Sequence, residues 1–315
     1  MTYWLLAIVS TCTAFALFAL AGSILARLGA AIVATRAVRH SPVAQARLLF
    51  RLRILPGLCA AAGAFAIALP IFLWFEKTDT SESVNRTLAV VALIGAFLLV
   101  RGFWRAGAAW RATARVLAGW QRRGRPLADV NAPFPAFAIE DPFPVVAVIG
   151  VWRPRLFIAE RVLRECAPQE IAAMVAHECA HVSSRDNLKR LLMRACPGVL
   201  GVARRLDRAW SQAAEEAADA RAAGGDPQAR LDLAGALIRV ARLAVPQAPP
   251  LASAFYLGGT IDDRVRRLIE PIADPDAPRW TRIAVPAAIV LLALVVVAAA
   301  PTLHEFMEEA VRLLP

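Results

Sequence analysis

Pro168-Gln169-Glu170-Ile171-Ala172-Ala173-Met174-Val175-Ala176-His177-Glu178-Cys179-Ala180-His181 carries the densest information in this chain. Pro168 suits a first helical turn, where its missing N–H is not needed, and Glu170 complements the positive helix end. Ile171, Met174, Val175 and Cys179 then follow at helical spacing, so a largely apolar helix is expected. On it His177 and His181 stand one turn apart on one face. That spacing lets two imidazole nitrogens reach one zinc ion, and Glu178 sits beside the metal, able to take a proton from the attacking water. Two histidines can also simply satisfy a core, but the chain has only four, and two fall at metal spacing with Glu between them.

The surroundings of this helix are those of a membrane protein. The chain has 315 residues, 58% of them hydrophobic, and a mean hydropathy of +0.52. A span takes about 20 apolar residues. Residues 3–26, 54–75 and 283–303 meet that length without a charge, and 88–104 meets it if Arg101 reaches the interface. The first segment lacks a basic start and a small-residue cleavage site, so it reads as a retained span. Four spans are therefore expected.

The net charge of +11 is unevenly placed. Arg27, Arg36, Arg39, Arg47, Arg51 and Arg53 separate the first two spans with no acidic residue among them, and Arg101, Arg105, Arg111, Arg115, Arg122, Arg123 and Arg125 follow the third. The loop 76–86 and the tail after the fourth span carry Glu76, Asp79, Glu82, Glu305, Glu308 and Glu309. The positive-inside rule then puts both termini outside and the region 105–282 in the cytosol of a bacterial inner membrane. The basic surplus serves orientation and contact with anionic lipid. No nucleic-acid motif accompanies it, so no nucleic-acid partner is expected. Cys12, Cys59, Cys166, Cys179 and Cys196 form no CxxC pair, which argues against disulfides, and Cys179 reads as a small packing residue.

Three organisational units follow: 1–104 with three spans and a basic loop, 105–281 as a cytosolic domain, and 282–315 as a fourth span with a short tail. Residues 105–120 read as a basic amphipathic helix broken by Arg122–Pro126. Residues 136–139, 145–149 and 156–158 are short apolar, β-branched runs punctuated by Pro and Gly, which suits a small sheet. Beyond Pro168 the chain reads helical, with breaks at Pro197-Gly198, Gly224-Gly225 and 246–250. The expected fold is mainly α: a multi-pass membrane protein with an α+β domain between spans three and four.

A catalytic zinc site needs a third protein ligand. His40 falls in the basic loop and His304 in the outer tail, so a carboxylate on another helix is required. Glu215 stands 34 residues after His181, and Glu215 and Asp219 share a helix face, while Glu216 points about 100° away. Glu215 is assigned to the metal. Asp219 is assigned to a ligand histidine, which it would orient and make more basic.

Gly150-x-x-x-Pro154-Arg155-Leu156-Phe157-Ile158, Gln169-Glu170-Ile171, Val175-Ala176-His177-Glu178-x-x-His181, Arg185-Asp186, Glu215-x-x-x-Asp219 and Arg264-Val265-x-x-Leu268 together resemble the membrane-embedded metallopeptidases of the BlaR/MecR type. The order of three spans, a zinc domain and a fourth span is similar too. The resemblance implies a zincin-like peptidase domain with His177, His181 and Glu215 on Zn2+ and Glu178 as base. Family members that sense β-lactams carry an outer penicillin-binding domain after the fourth span; here only residues 301–315 follow, so that signal is not expected. HtpX-type peptidases share the two metal motifs but place a His where this chain has Gly258. Stabilisation of the oxyanion then falls to Arg264 or Tyr256, with an Arg264 ion pair to Asp262 or Asp263 as the structural alternative. The expected partners are the lipid bilayer and a protein or peptide substrate, such as a repressor or a membrane protein, bound by strand addition to the short strands before the helix.

Overall fold

A computed structural model describes residues 3–36, 41–76, 86–244 and 261–270. The expected fourth span at 283–303, the tail and Tyr256 lie outside the described residues.

Helix α1 runs Tyr3–Arg36, α2 Pro42–Ala61, α3 Leu69–Phe75 and α4 Arg86–Arg123. A π-helical segment, Ala62–Ala68, joins α2 to α3 without a break. It leads directly into Pro70, whose ring displaces the carbonyl four residues back and lacks an N–H; a widened turn accommodates both defects. Three stretches are long and apolar enough to cross a membrane: Tyr3–Val33, Pro42–Phe75 and Arg86–Arg123. Trp4, Trp74, Leu93, Phe97 and Phe103 are all exposed on them. An apolar surface of that extent needs a covering and is consistent with helices that cross a bilayer.

The third span and the basic helix expected after it form one rod. Helix α4 passes residue 104 without interruption and holds 38 residues, about 57 Å of helix. Gly95 and Gly102 let neighbours approach its backbone. A Cβ at Gly95 would strike the carbonyl of Cys12 on α1, and one at Gly102 the carbonyl of Ala195.

After α4 come β1 (Arg125–Leu127), β2 (Ala136–Ile139), β3 (Val146–Ile149) and β4 (Arg155–Ala159), in the sheet order β1-β2-β4-β3. β2 and β4 are parallel and the other pairs antiparallel. β4 is paired on both sides, which corrects the expectation that 156–158 could receive a peptide. Among the described residues β3 and β1 are the edge strands. β1 itself was not expected: three residues containing Pro126 show no alternation.

Helices α5 (Glu160–Glu165), α6 (Pro168–Ser183), α7 (Asp186–Ala195), α8 (Val202–Ala223), α9 (Pro227–Leu243) and α10 (Ile261–Ile269) complete the described chain. Leu156, Ile158, Val162, Met174, Val175, Ala236 and Val240 form one core beneath the sheet, with Cys179 packed against it. A second core joins the membrane helices to this domain. On α8, Val202, Leu206, Trp210, Ala213, Ala214 and Ala217 recur at helical spacing and pack on Ala26 of α1 and on Ala46, Leu49 and Leu52 of α2. The domain thus sits on the arginine-rich ends of the apolar helices.

Arg53 belongs to this junction. It was read as one more orienting charge, yet it is 1% exposed. Its Nε donates to Asp207 Oδ1 at 2.6 Å and its Nη2 to the Met193 carbonyl at 2.6 Å. One cation thus ties α2 to α7 and α8.

Candidate metal centre

The residue before α6 is Ala167, whose side chain cannot cap the helix. Glu170 does so instead, accepting from the Ala167 N–H at 2.8 Å, and it is held in turn by Arg239 at 2.8 Å. With its start fixed, α6 carries His177, Glu178 and His181 between the sheet and α8.

The two imidazoles meet edge to face, with His177 Nε2 and His181 Nε2 3.1 Å apart. From α8, Glu215 brings Oε2 to 3.4 Å from His177 Nε2 and Oε1 to 3.6 Å from His181 Nε2. Ligand atoms at 2.0–2.1 Å around a tetrahedral zinc stand about 3.3–3.4 Å from one another. The three observed separations bracket that value, so these donors fit the ion; they form the metal-capable group found among the described residues.

The outer ring nitrogens are placed by carboxylates. His177 Nδ1 lies 2.8 Å from Asp219 Oδ1, though off the line of a good hydrogen bond. His181 Nδ1 lies 2.8 Å from Asp186 Oδ2, whose other oxygen accepts from Lys189 Nζ at 2.9 Å. Such partners turn each Nε2 toward a metal and make it more basic.

Asp186 was not among the expected site residues. It follows Arg185, a left-handed residue at φ 55° that costs about 1–2 kcal/mol for a residue other than glycine. The reversal at Ser184-Arg185 ends α6 and folds the first turn of α7 back onto His181. Arg221 on α8 donates to Ser184 Oγ and steadies this turn. The sequence signals were its place in the Arg185-Asp186 motif and its spacing five residues after the second histidine.

Glu178 points to the sheet edge: its Oε2 accepts from the Val148 N–H at 2.9 Å. Asn187 Nδ2 donates to the Val148 and Gly150 carbonyls at 3.2 and 3.0 Å, fixing the end of β3. Glu178, His177 and Glu215 border a cleft of about 950 Å³ that runs along this edge, and with His181 they line a smaller cavity of about 160 Å³ beside it.

Among the described residues Arg264 pairs with neither Asp262 nor Asp263 but turns to the metal-capable group. Its Nε and Nη2 donate to Asp219 Oδ2 and Oδ1 at 2.8 and 2.7 Å, and its Nη1 is 3.4 Å from Glu215 Oε2. It clamps the carboxylate that faces His177. Glu216 turns away from the site and pairs with Arg267.

Burial opposes every charge here, and pairing overcomes it. The Glu215 carboxyl is held well below the usual range by His177 and His181, and Asp219 is lowered by Arg264 and His177. Burial alone would lower His181, but Asp186 and Glu215 push it up to about 9. Its folded value then exceeds the free value of about 6.5. In the metal-free protein its stabilising contribution is fully present below about pH 6.5 and lost as pH rises through about 9. Chelated protein should therefore melt at a lower temperature at pH 9.5 than at pH 6.5, and zinc binding at pH 7.5 should release protons. A flat melting temperature across that window, with no proton release in calorimetry, would contradict the assignment.

Two imidazoles and a carboxylate on neighbouring helices, with a glutamate outside the donor set at a sheet edge, are the arrangement a zinc hydrolase requires. Residues 127–245 match Peptidase family M48, a family that includes zinc metallopeptidases such as HtpX. The match begins at the last residue of β1 and takes in the sheet, both histidines and Glu215. Comparison with curated proteins finds no match.

Proposed function

We propose that this chain is an integral-membrane zinc endopeptidase, of the BlaR/MecR type, that cuts a protein substrate at the cytosolic face in regulatory proteolysis. The convergence of His177 Nε2, His181 Nε2 and the Glu215 carboxylate at zinc-ligand spacing, with Glu178 beside them on the cleft, carries this reading. Bound zinc supplies a Lewis acid that makes water nucleophilic near neutral pH and polarises a carbonyl. Glu178 takes the proton of the attacking water and returns it to the leaving amine. Asp219 and Asp186 hold the imidazoles by Nδ1, so that Nε2 is the coordinating atom of each.

The substrate lies along β3. The Val145 carbonyl accepts from the Ala159 N–H at the end of β4, whereas the Val148 N–H faces Glu178. By alternation Val146 also faces outward and offers its N–H and carbonyl to an added strand.

Purified protein in detergent should hold one zinc per chain and cleave an unstructured protein, and a chelator should stop cleavage. His177→Ala should hold no zinc. Wild type that carries no more zinc than His177→Ala would sink the reading. In the same assay Val146→Pro removes one outward donor and should lower kcat/KM about two- to tenfold, chiefly through KM. Unchanged kinetics would place the substrate elsewhere.

The match at 127–245 equally suits a quality-control peptidase of the HtpX kind. Proteomics on cells making wild type or Glu178→Gln separates the two. One accumulating protein supports regulatory cleavage, and many misfolded membrane proteins support quality control.

A further inference from the structure

The cleft does not end at the metal centre. On α4 it is bordered by both Trp120 and Arg105, fifteen residues apart, which is about 22 Å of helix. An extended peptide of about six or seven residues has that length. The Trp120 end is closed by the loop before β3, with Asp141 and Phe143. The other end lies where the apolar part of α4 stops, at the level of the membrane surface, and it is lined by arginines.

Arg190 and Arg194 stand one turn apart on α7, and Arg105 faces them from α4. Burial and the fields of Arg101, Arg53 and Arg194 lower the Arg105 pKa, and Asp207 opposes them. Arg190 starts the series: its Nη2 is 3.7 Å from Glu215 Oε1, and its guanidinium lies 5.7 Å over the Trp210 ring. The single carboxylate at this end, Asp207, is engaged by Arg53 at 2.6 Å. Arg105 and Arg194 pair with no carboxylate among the described residues. Trp210, on the same wall, has a buried indole N–H with no partner among the described residues. Donors and positive charge therefore exceed acceptors along this half of the cleft.

We propose that the membrane-proximal half of the cleft is a subsite for an acidic side chain of the protein substrate. This rests on the peptidase reading and names the substrate class it would take. Along α8, Asp207 lies eight residues from Glu215, or about 12 Å. At about 3.3 Å per extended residue, the acidic group falls three or four residues from the scissile bond. Unpaired guanidiniums at the wall of a low-dielectric cleft both attract such a group and reject a lysine there.

The test uses the full chain in zwitterionic nanodiscs with zinc. Ten-residue peptides carry Glu, Gln or Lys at each position in turn, and kcat/KM is measured for cleavage. Binding of the same labelled peptides to the Glu178→Gln protein is followed by anisotropy. Glu should exceed Gln about tenfold at one position three or four residues from the cut, and Lys should fall below Gln. In Arg105→Gln/Arg194→Gln that ratio should collapse to within about twofold, whereas Arg105→Lys/Arg194→Lys should retain it. Cleavage with no acidic preference at any position overturns the subsite and leaves the peptidase reading standing. Acidic-peptide binding without any cleavage by wild type does the reverse. A double Gln variant that changes only the affinity for phosphatidylglycerol nanodiscs assigns the arginines to lipid headgroups and also overturns the subsite.

Discussion

Glu178→Gln is expected to lower peptide hydrolysis by about 10²–10⁴-fold while leaving one zinc per chain. The glutamate is not among the three converging donors, so its loss removes no metal ligand. The amide oxygen of glutamine can still accept from the Val148 N–H, which keeps β3 in place. What disappears is a carboxylate able to hold a proton between water and the leaving amine. Zinc content by elemental analysis and turnover on one unstructured substrate give the two readouts. Turnover within a few fold of wild type would remove Glu178 from the chemistry. A matching physiological phenotype in the variant would instead favour a membrane signal transducer that uses zinc without catalysis.

Asp207→Ala is expected to destabilise the protein by about 3–5 kcal/mol, because it leaves a buried guanidinium without its counter-charge. Arg53 is 1% exposed, whereas the Asp207 side chain is 37% exposed. The two ends of this pair are therefore unequal. Arg53→Leu strands only a carboxylate that water can reach, and it should cost less than Asp207→Ala. Denaturation of detergent-solubilised variants, followed by loss of α-helical signal, ranks them. Equal losses, or the reverse order, would show that Arg53 is not the buried member whose charge needs compensation.

Local pattern was enough for the elements that bear the chemistry. Pro168, Glu170 and the apolar spacing that follows announce α6, and it runs Pro168–Ser183. Residues 136–139 form β2 as read, β3 is one residue shorter at its start, and β4 is one residue longer at each end. Glu215 was reachable because the chain offers no third histidine near the site and this carboxylate shares a helix face with Asp219. Features that depend on distant partners were not legible. Arg53 meets Asp207 across 154 residues, and nothing in its neighbourhood marks it apart from the arginines around it. Asp186 reaches His181 only because Arg185 adopts a left-handed conformation, without the glycine or asparagine that usually signals one. Arg264 was noticed as a cation near the site, but its allegiance to Asp219 depends on how α10 approaches α8. Sequence order says nothing of that approach.

Helix α8 is both a wall of the core that holds α1 and α2 and the carrier of Glu215 and Asp219. Its third attachment is the Arg53 grip on Asp207, two turns before Glu215. Helix α2 is therefore coupled through α8 to a candidate metal-ligand oxygen. Metal-ligand distances tolerate only about 0.2 Å, and a misplacement of about 1 Å at a reacting centre costs about a hundredfold in rate. A displacement of α2 against α8 would therefore be felt at Glu215, and under the proposed function it is expected to lower turnover.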